Sequence, residues 1–235
     1  MRRIRAAVLA IPLVLSAADP NRLTDAERRD GWRLLFDGAT AAGWVEVTGK
    51  PFPTNCWTIE DGAIKAFPRK DGYQDIRTTS VFRNFEFEFD WKLGAGGNSG
   101  VKYLIQKVDE WNNAIGRQAR ARGFEYQLAD PAGADVGGDP RRSTASLYSL
   151  IAPNPAPAVR LGEYHHSVLI VRGRHVEHWL DGIKVVEYTT DRPDVIKLRR
   201  TYRADGEFTS ESPLSLQNHG TEAWFRNLKV RALPD

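Results

Sequence analysis

Phe85-Glu86-Phe87-Glu88-Phe89-Asp90-Trp91-Lys92-Leu93 decides the fold class of this 235-residue chain. Every odd position is apolar and every even position is charged. Successive side chains of a β-strand point to opposite faces, so one face of this segment enters a core and the other meets water. Gly94-Ala95-Gly96-Gly97 ends the strand. Upstream, Trp32 to Phe36 runs into the turn Asp37-Gly38, and Trp57-Thr58-Ile59-Glu60 turns at Asp61-Gly62 into Ala63-Ile64-Lys65-Ala66. The second of these is a hairpin signal. Downstream, strands are predicted over Val101 to Val108, Phe124 to Leu128, Ser167 to Arg172, His175 to Leu180 and Val185 to Tyr188. Closing strands follow at Ser212 to Gly220 and Trp224 to Val230. About a dozen short strands with almost no helical periodicity predict an all-β sandwich.

Two long connections interrupt the pattern. Residues 129–160 are rich in Gly, Pro, Asp and Ala, with Ser143 to Ile151 as an ordered island. Residues 189–212 are polar and have room for a short helix. Long connections in a compact domain usually serve function. Ahead of the strands, residues 19–30 read as a short helical leader in which Thr24 and Glu27 form a capping box. Residues 31–235 read as one domain.

Residues 1–18 carry a basic start, Met1-Arg2-Arg3-Ile4-Arg5, then a short apolar run from Ala6 to Leu15 and small residues at Ser16-Ala17-Ala18. That pattern predicts a signal peptide, too short to stay as a membrane span, and hence a periplasmic or secreted protein with no membrane attachment once cleaved. Removing the three Arg of this segment takes the formal charge from +3 to 0. A nucleic-acid partner is therefore not expected, because such binders need a cationic excess. Cys56 is the single cysteine, so no disulfide framework exists. No feature of the sequence sets an oligomeric state.

The ordered set of motifs is specific. It comprises Leu35-Phe36-Asp37-Gly38 with Gly43-Trp44; Trp57 with Asp61-Gly62; Trp91-Lys92; and Gly97-Asn98-Ser99-Gly100-Val101-Lys102-Tyr103. Glu125-Tyr126-Gln127, Ala145-Ser146-Leu147-Tyr148 and Val176 to Gly182 come next. Leu216-Gln217-Asn218-His219-Gly220 and Phe225-Arg226-Asn227 complete it. In this order the motifs resemble the 3-keto-disaccharide hydrolase family across roughly residues 31–232. The resemblance implies a concanavalin-like jelly-roll sandwich of two antiparallel sheets. It also implies an exported enzyme acting on a small carbohydrate, a glycoside already oxidised at sugar carbon 3. The chain departs from the family at Tyr164-His165, where Trp-Asn is common, at Asp181, where Asn is common, and at Asn218, where Asp is common.

A ketone at carbon 3 acidifies the proton at carbon 2. Loss of that proton gives an enolate, which expels the glycosidic oxygen from carbon 1 before water adds. Such chemistry needs a base, an acid for the leaving group and donors for the enolate oxygen. Glu125 and Gln127 share a strand face opposite Phe124, Tyr126 and Leu128, so the pair is expected in a cleft where burial raises the Glu pKa. Gln217 and His219 are also two apart and expected on one face. Glu125 and His219 are the predicted proton-transfer pair. Lys102 is the expected holder of the enolate oxygen, with Asn98 and Ser99 beside it on a Gly-rich hairpin. Tyr148, Trp179 and Arg226 are candidate sugar contacts, as is Trp111, read as lying in a loop. The other histidines, His165, His166, His175 and His178, lack metal-site spacing with clear carboxylate partners, and no zinc site is expected. Jelly rolls of this type often hold a structural calcium. No calcium loop is evident here, so no cofactor is predicted and calcium stays an open option. Two alternatives remain at this stage: a non-catalytic carbohydrate-binding module, and a conventional glycosidase using Glu125 with Asp130 or Asp90.

Overall fold

The structure is a computed structural model that describes residues 20–202 and 208–235. The predicted signal of residues 1–18 lies outside them. Helix α1 (Asp25–Arg29) opens the described chain. Thr24 Oγ1 accepts from the Glu27 amide, and the Glu27 carboxylate accepts from the Thr24 amide, which closes the capping box. Strands β1 (Arg33–Leu34), β2 (Trp44–Glu46), β3 (Trp57–Glu60), β4 (Ala63–Ala66), β5 (Gly72–Gln74) and β6 (Ile76–Thr78) follow. Then come β7 (Phe85–Leu93), β8 (Asn98–Asn113) and β9 (Gly116–Ala129). A 3-10 turn over Pro140–Arg142 precedes β10 (His165–Arg172), β11 (His175–Leu180) and β12 (Ile183–Thr189). Helix α2 (Pro193–Tyr202), β13 (Ser215–Leu216) and β14 (Ala223–Ala232) complete the set.

The strands form two stacked sheets. One runs β12-β11-β10-β7-β14-β4-β3, with β1 added to β14; the other runs β2-β6-β13-β8-β9-β5. Strand β7 behaves as its alternation demands: Phe85, Phe87, Phe89, Trp91 and Leu93 are all buried between the sheets. Each such side chain stabilises the sandwich by about 1.5–3 kcal/mol. Its charged positions face outward and find partners across the strands. Glu86 pairs with Arg231, Glu88 with Lys229, and Asp90 with His166.

Two features differ from the sequence expectation. The second sheet is not purely antiparallel, because β5 pairs parallel to β9. That contact is permitted by glycine. A Cβ on Gly72 would sit 2.0 Å from the Arg117 carbonyl oxygen, and one on Gly116 would sit 2.2 Å from the Asp71 carbonyl carbon. Both glycines have positive φ. The β8–β9 hairpin is also far longer than its apolar segments suggested. Its distal half, Gly116 to Arg122, carries Arg117, Ala119 and Ala121 on one face and Gln118, Arg120 and Arg122 on the other, so it offers little apolar alternation. Ala119 and Ala121 nonetheless bury against Val47 and Ile105.

A polar chain links the two sheets through the core. His178 is fully buried, with Nδ1 2.9 Å from the Ala145 carbonyl and Nε2 2.7 Å from the Tyr103 hydroxyl. A carbonyl can only accept, so Nδ1 carries the proton and Nε2 accepts from Tyr103. The Tyr188 hydroxyl, 2.7 Å from that of Tyr103, must then donate to it. Burial lowers the His178 pKa to about 4. The chain ends on the 143–151 island, which His178 thereby ties to the first sheet.

Candidate active site

The second sheet carries a cavity of about 330 Å³, within the usual range for a small-ligand site. Strands β8 and β9 form its floor. Asn98 and Lys102 reach it from β8, and Glu125 and Gln127 from β9. Register explains the convergence: Lys102 stands opposite Glu125, and Gly100 opposite Gln127. The chain leaving β13 adds Gln217 and His219, the island adds Tyr148, and α2 walls one side with Leu198 and Tyr202. Helix α2 occupies the second long connection, where a short helix was expected.

Glu125 rests directly on Gly100. A Cβ there would lie 2.6 Å from Glu125 Oε1, so only glycine leaves room for the carboxylate. With its amide nitrogen turned toward the carboxylate, Gln127 donates to Glu125 Oε1 at 2.9 Å and to the Ser99 carbonyl at 3.1 Å. Burial raises the Glu125 pKa, opposed chiefly by the charge of Lys102. His219 moves the other way: burial lowers its pKa, and the positive charge of Arg120 adds to that shift. Both groups are thus driven toward their uncharged forms.

Lys102 is committed to a partner that sequence reasoning missed. Its Nζ lies 2.9 Å from Asp75 Oδ2, and both side chains are almost wholly buried. Asp75 also accepts from the backbone amides of Ala121 and Asn218. It therefore ties β8, β9 and the His219 segment to one carboxylate. Asp75 sits between two three-residue strands, where no pattern marks it. Asn218 has its amide turned inward, donating to the Cys56 carbonyl at 2.9 Å, so it does not line the cavity. Gln217 lines the cavity, and its buried Oε1 has no hydrogen-bond partner.

Four expected contacts do not reach this cavity. Ser99 has the opposite strand parity to Asn98 and Lys102; it is fully buried and donates to the Gln217 carbonyl at 2.6 Å. It positions Gln217 rather than a ligand. Trp179 lies on the outer face of β11, where its indole donates to Glu177. Arg226 lies on the outer face of β14, 3.6 Å from Asp90 and stacked 3.7 Å over the Tyr164 ring centroid. Trp111 is in strand β8 rather than a loop, and its ring carries the guanidinium groups of Arg120 and Arg122 at 5.8 and 5.7 Å. The two candidate second carboxylates are elsewhere too. Asp130 accepts from the Gly96 and Ala132 amides, and Asp90 is on the outward face of β7, paired with His166. Glu125 is the single carboxylate lining the cavity among the described residues.

His175 has the carboxylate partners that the sequence did not reveal. Its imidazole, Glu177 and Glu187 form a group with ligand atoms within 4.8 Å of one another. Lys184 already pairs with both carboxylates, on β11 and β12 at the edge of the first sheet.

The comparisons with known proteins bear on this geometry. The family described as 3-keto-alpha-glucoside-1,2-lyase-like domain matches residues 31–231. The chain belongs to that family. A 3-keto-disaccharide hydrolase of Bacteroides thetaiotaomicron is 32% identical over 93% of this chain and 84% of its own length. A Parabacteroides distasonis protein, solved under the provisional name of glycosyl hydrolase, superposes with a TM-score of 0.77 at 28% identity. It covers 92% of this chain and 100% of its own. A Bacillus subtilis protein of unknown function with a galectin-like fold, at 12% identity and TM-score 0.51, shares the fold alone. Membership in the lyase-like family and these relatives place the chain among the glycoside-cleaving hydrolases, on the jelly-roll sandwich that the motifs implied. The family motifs at Asn98-Ser99-Gly100-Val101-Lys102, Glu125-Tyr126-Gln127 and Gln217-Asn218-His219 are the stretches that build this cavity.

Proposed function

We propose that this enzyme cleaves glycosides carrying a ketone at sugar carbon 3, by proton abstraction at carbon 2, elimination across carbons 1 and 2, and water addition. One observation carries the reading: Glu125 and His219 line one small cavity in which no second carboxylate is present among the described residues. The conventional glycosidase route needs two carboxylates about 5–10 Å apart. The keto route needs one base and one acid of matched basicity.

The electrostatics favour an assignment within the pair. A neutral imidazole is a base and a protonated carboxyl is an acid, and burial drives His219 and Glu125 toward those forms. His219 therefore removes the carbon-2 proton, and the electron pair moves onto the carbon-3 oxygen. As the enolate collapses, a double bond forms between carbons 1 and 2 and the glycosidic oxygen leaves with the Glu125 proton. Water adds to carbon 1 and a proton returns to carbon 2. The products are a free 3-keto sugar and an alcohol. Gln217 Oε1 accepts from a sugar hydroxyl, and Tyr148 and Asn98 contact others. The enzyme works in the periplasm or outside the cell, on the evidence of the basic-then-apolar segment from Met1 to Ala18.

Isotope exchange separates the two roles. In D2O the wild type cleaves a 3-keto-glucoside and exchanges its carbon-2 hydrogen, while leaving the unoxidised glucoside intact. Glu125→Gln retains exchange but loses cleavage. His219→Asn loses both. Cleavage of the unoxidised glucoside alone overturns the proposal, and so does sugar binding with neither exchange nor turnover, the signature of a binding module. Exchange lost in Glu125→Gln and kept in His219→Asn reverses the assignment.

A further inference from the structure

We infer that Arg120, rather than Lys102, is the cation that holds the enolate oxygen in the proposed reaction. The inference rests on that reaction and adds the group that stabilises its intermediate.

The Lys and Arg side chains lining the cavity pair off with carboxylates, with one exception among the described residues. Lys102 is matched by Asp75 at 2.9 Å, and Arg122 by Asp109 at 2.7 Å. Arg120 lines the same cavity and makes no ion pair among the described residues. Its Nε is buried and lacks a hydrogen-bond partner. A buried polar donor left unmade costs about 1–3 kcal/mol. The guanidinium is held in place by two rings instead. It lies 5.3 Å from the Tyr73 ring centroid and 5.8 Å from that of Trp111. These contacts hold it near the rings without consuming its N–H donors or its charge. Tyr73 also lies 6.5 Å, centroid to centroid, from the His219 ring, so the clamp sits beside the proposed base.

The neighbours of the clamp support a ligand role. Tyr73, Gln118 and Trp111 are cross-strand neighbours on β5, β9 and β8, and Arg120 is two residues along β9 on the same face. Gln118 is fully buried, and neither its amide oxygen nor its nitrogen has a partner. Arg120 also acts electrostatically on both proposed proton-transfer groups, opposing the rise at Glu125 and adding to the fall at His219. A positioned, uncompensated cation in a half-enclosed cavity is what an oxyanion formed mid-reaction requires. Lys102 cannot serve as well, since its charge is already spent on Asp75.

The test uses the full chain and a 3-keto-glucoside, with Arg120→Met and Arg120→Lys. Removing one oxyanion donor costs about 100-fold or more in kcat. We expect that loss in Arg120→Met for both carbon-2 exchange and cleavage, with KM changed little and Tm close to wild type. Arg120→Lys falls between, because a point charge replaces the planar fork. Millimolar methylguanidinium restores part of the kcat of Arg120→Met. If Arg120 merely glues Tyr73 to Trp111, the variant lowers Tm or raises KM, kcat holds, and methylguanidinium does nothing; that result overturns the inference with the reaction intact. A wild type inactive on every 3-keto-glycoside overturns the reaction and this inference together.

Discussion

The Asp75 carboxylate holds the Lys102 ammonium at 2.9 Å inside the second sheet, with 0% and 4% of their side chains exposed. Taking two charges out of water is costly, and the pair stands because Asp75 also satisfies two backbone amides. Breaking one side leaves an uncompensated buried charge. Lys102→Met and Asp75→Asn should each cost about 3–5 kcal/mol of stability by urea unfolding. The double variant should recover part of that loss. A double variant as unstable as the sum of the singles would show that the two residues are not energetically coupled.

Gly100 offers a cleaner lesion. Its φ is not positive, so alanine suits the backbone, yet the new Cβ would press on Glu125 Oε1. The Cβ would also meet Glu125 Cγ at 2.9 Å, so the whole carboxylate arm must swing aside. Gly100→Ala should therefore keep its Tm while losing about 100-fold in kcat, the scale of loss expected from roughly 1 Å of misplacement. Equal activity in the two proteins would mean that the carboxylate position is not critical.

The buried His178 makes stability depend on pH. Its folded pKa, about 4, lies below the ordinary 6.5. The unfolded chain binds a proton below about 6.5, and the folded chain does so only near 4. The stabilisation is complete above that window and is lost as pH falls through it. At 1.36 kcal/mol per unit, about 3 kcal/mol is at stake, of which about 2 is gone by pH 5. Urea unfolding of wild type and His178→Gln at pH 7 and pH 5 measures this. The variant should be less stable at pH 7 and show a shallower decline between the two.

Trp179 and Arg226 serve as controls. Both lie on the outer face of the first sheet and do not line the cavity. Trp179→Ala and Arg226→Ala should leave kcat/KM within about twofold, as surface changes remote from a site do. A tenfold loss in either would place part of the substrate on the other sheet.

The strands were legible wherever one face was apolar. Strand β7 could be read residue by residue, and the turns at Asp61-Gly62 and Asp181-Gly182 marked their hairpins. Half of the cavity was legible for the same reason, since Glu125 with Gln127 and Gln217 with His219 follow from parity. Parity also excludes Ser99 once Asn98 and Lys102 are placed, a step the motif obscured. Arg120 and Asp75 were not legible. Arg120 sits in Gly116-Arg117-Gln118-Ala119-Arg120-Ala121-Arg122, whose buried face is alanine, so no hydrophobic signal announces a strand. Asp75 acquires its role only when three separated segments meet. Trp179 and Arg226 were assigned to the right strands, but strand identity does not say which sheet faces the cavity.

The island from Ser143 to Ile151 does more than present Tyr148. Ala145 donates to the Gln127 carbonyl, Tyr148 to the Glu125 carbonyl, and Leu147 bridges to Tyr126. Strand β5 covers β9 only at Arg117 to Ala119, so the island occupies the edge of β9 further along. An open strand edge is a template for another chain. The segment that shapes the pocket is therefore also a guard against self-association, and shortening it to widen the pocket would trade selectivity for a sticky, aggregating protein.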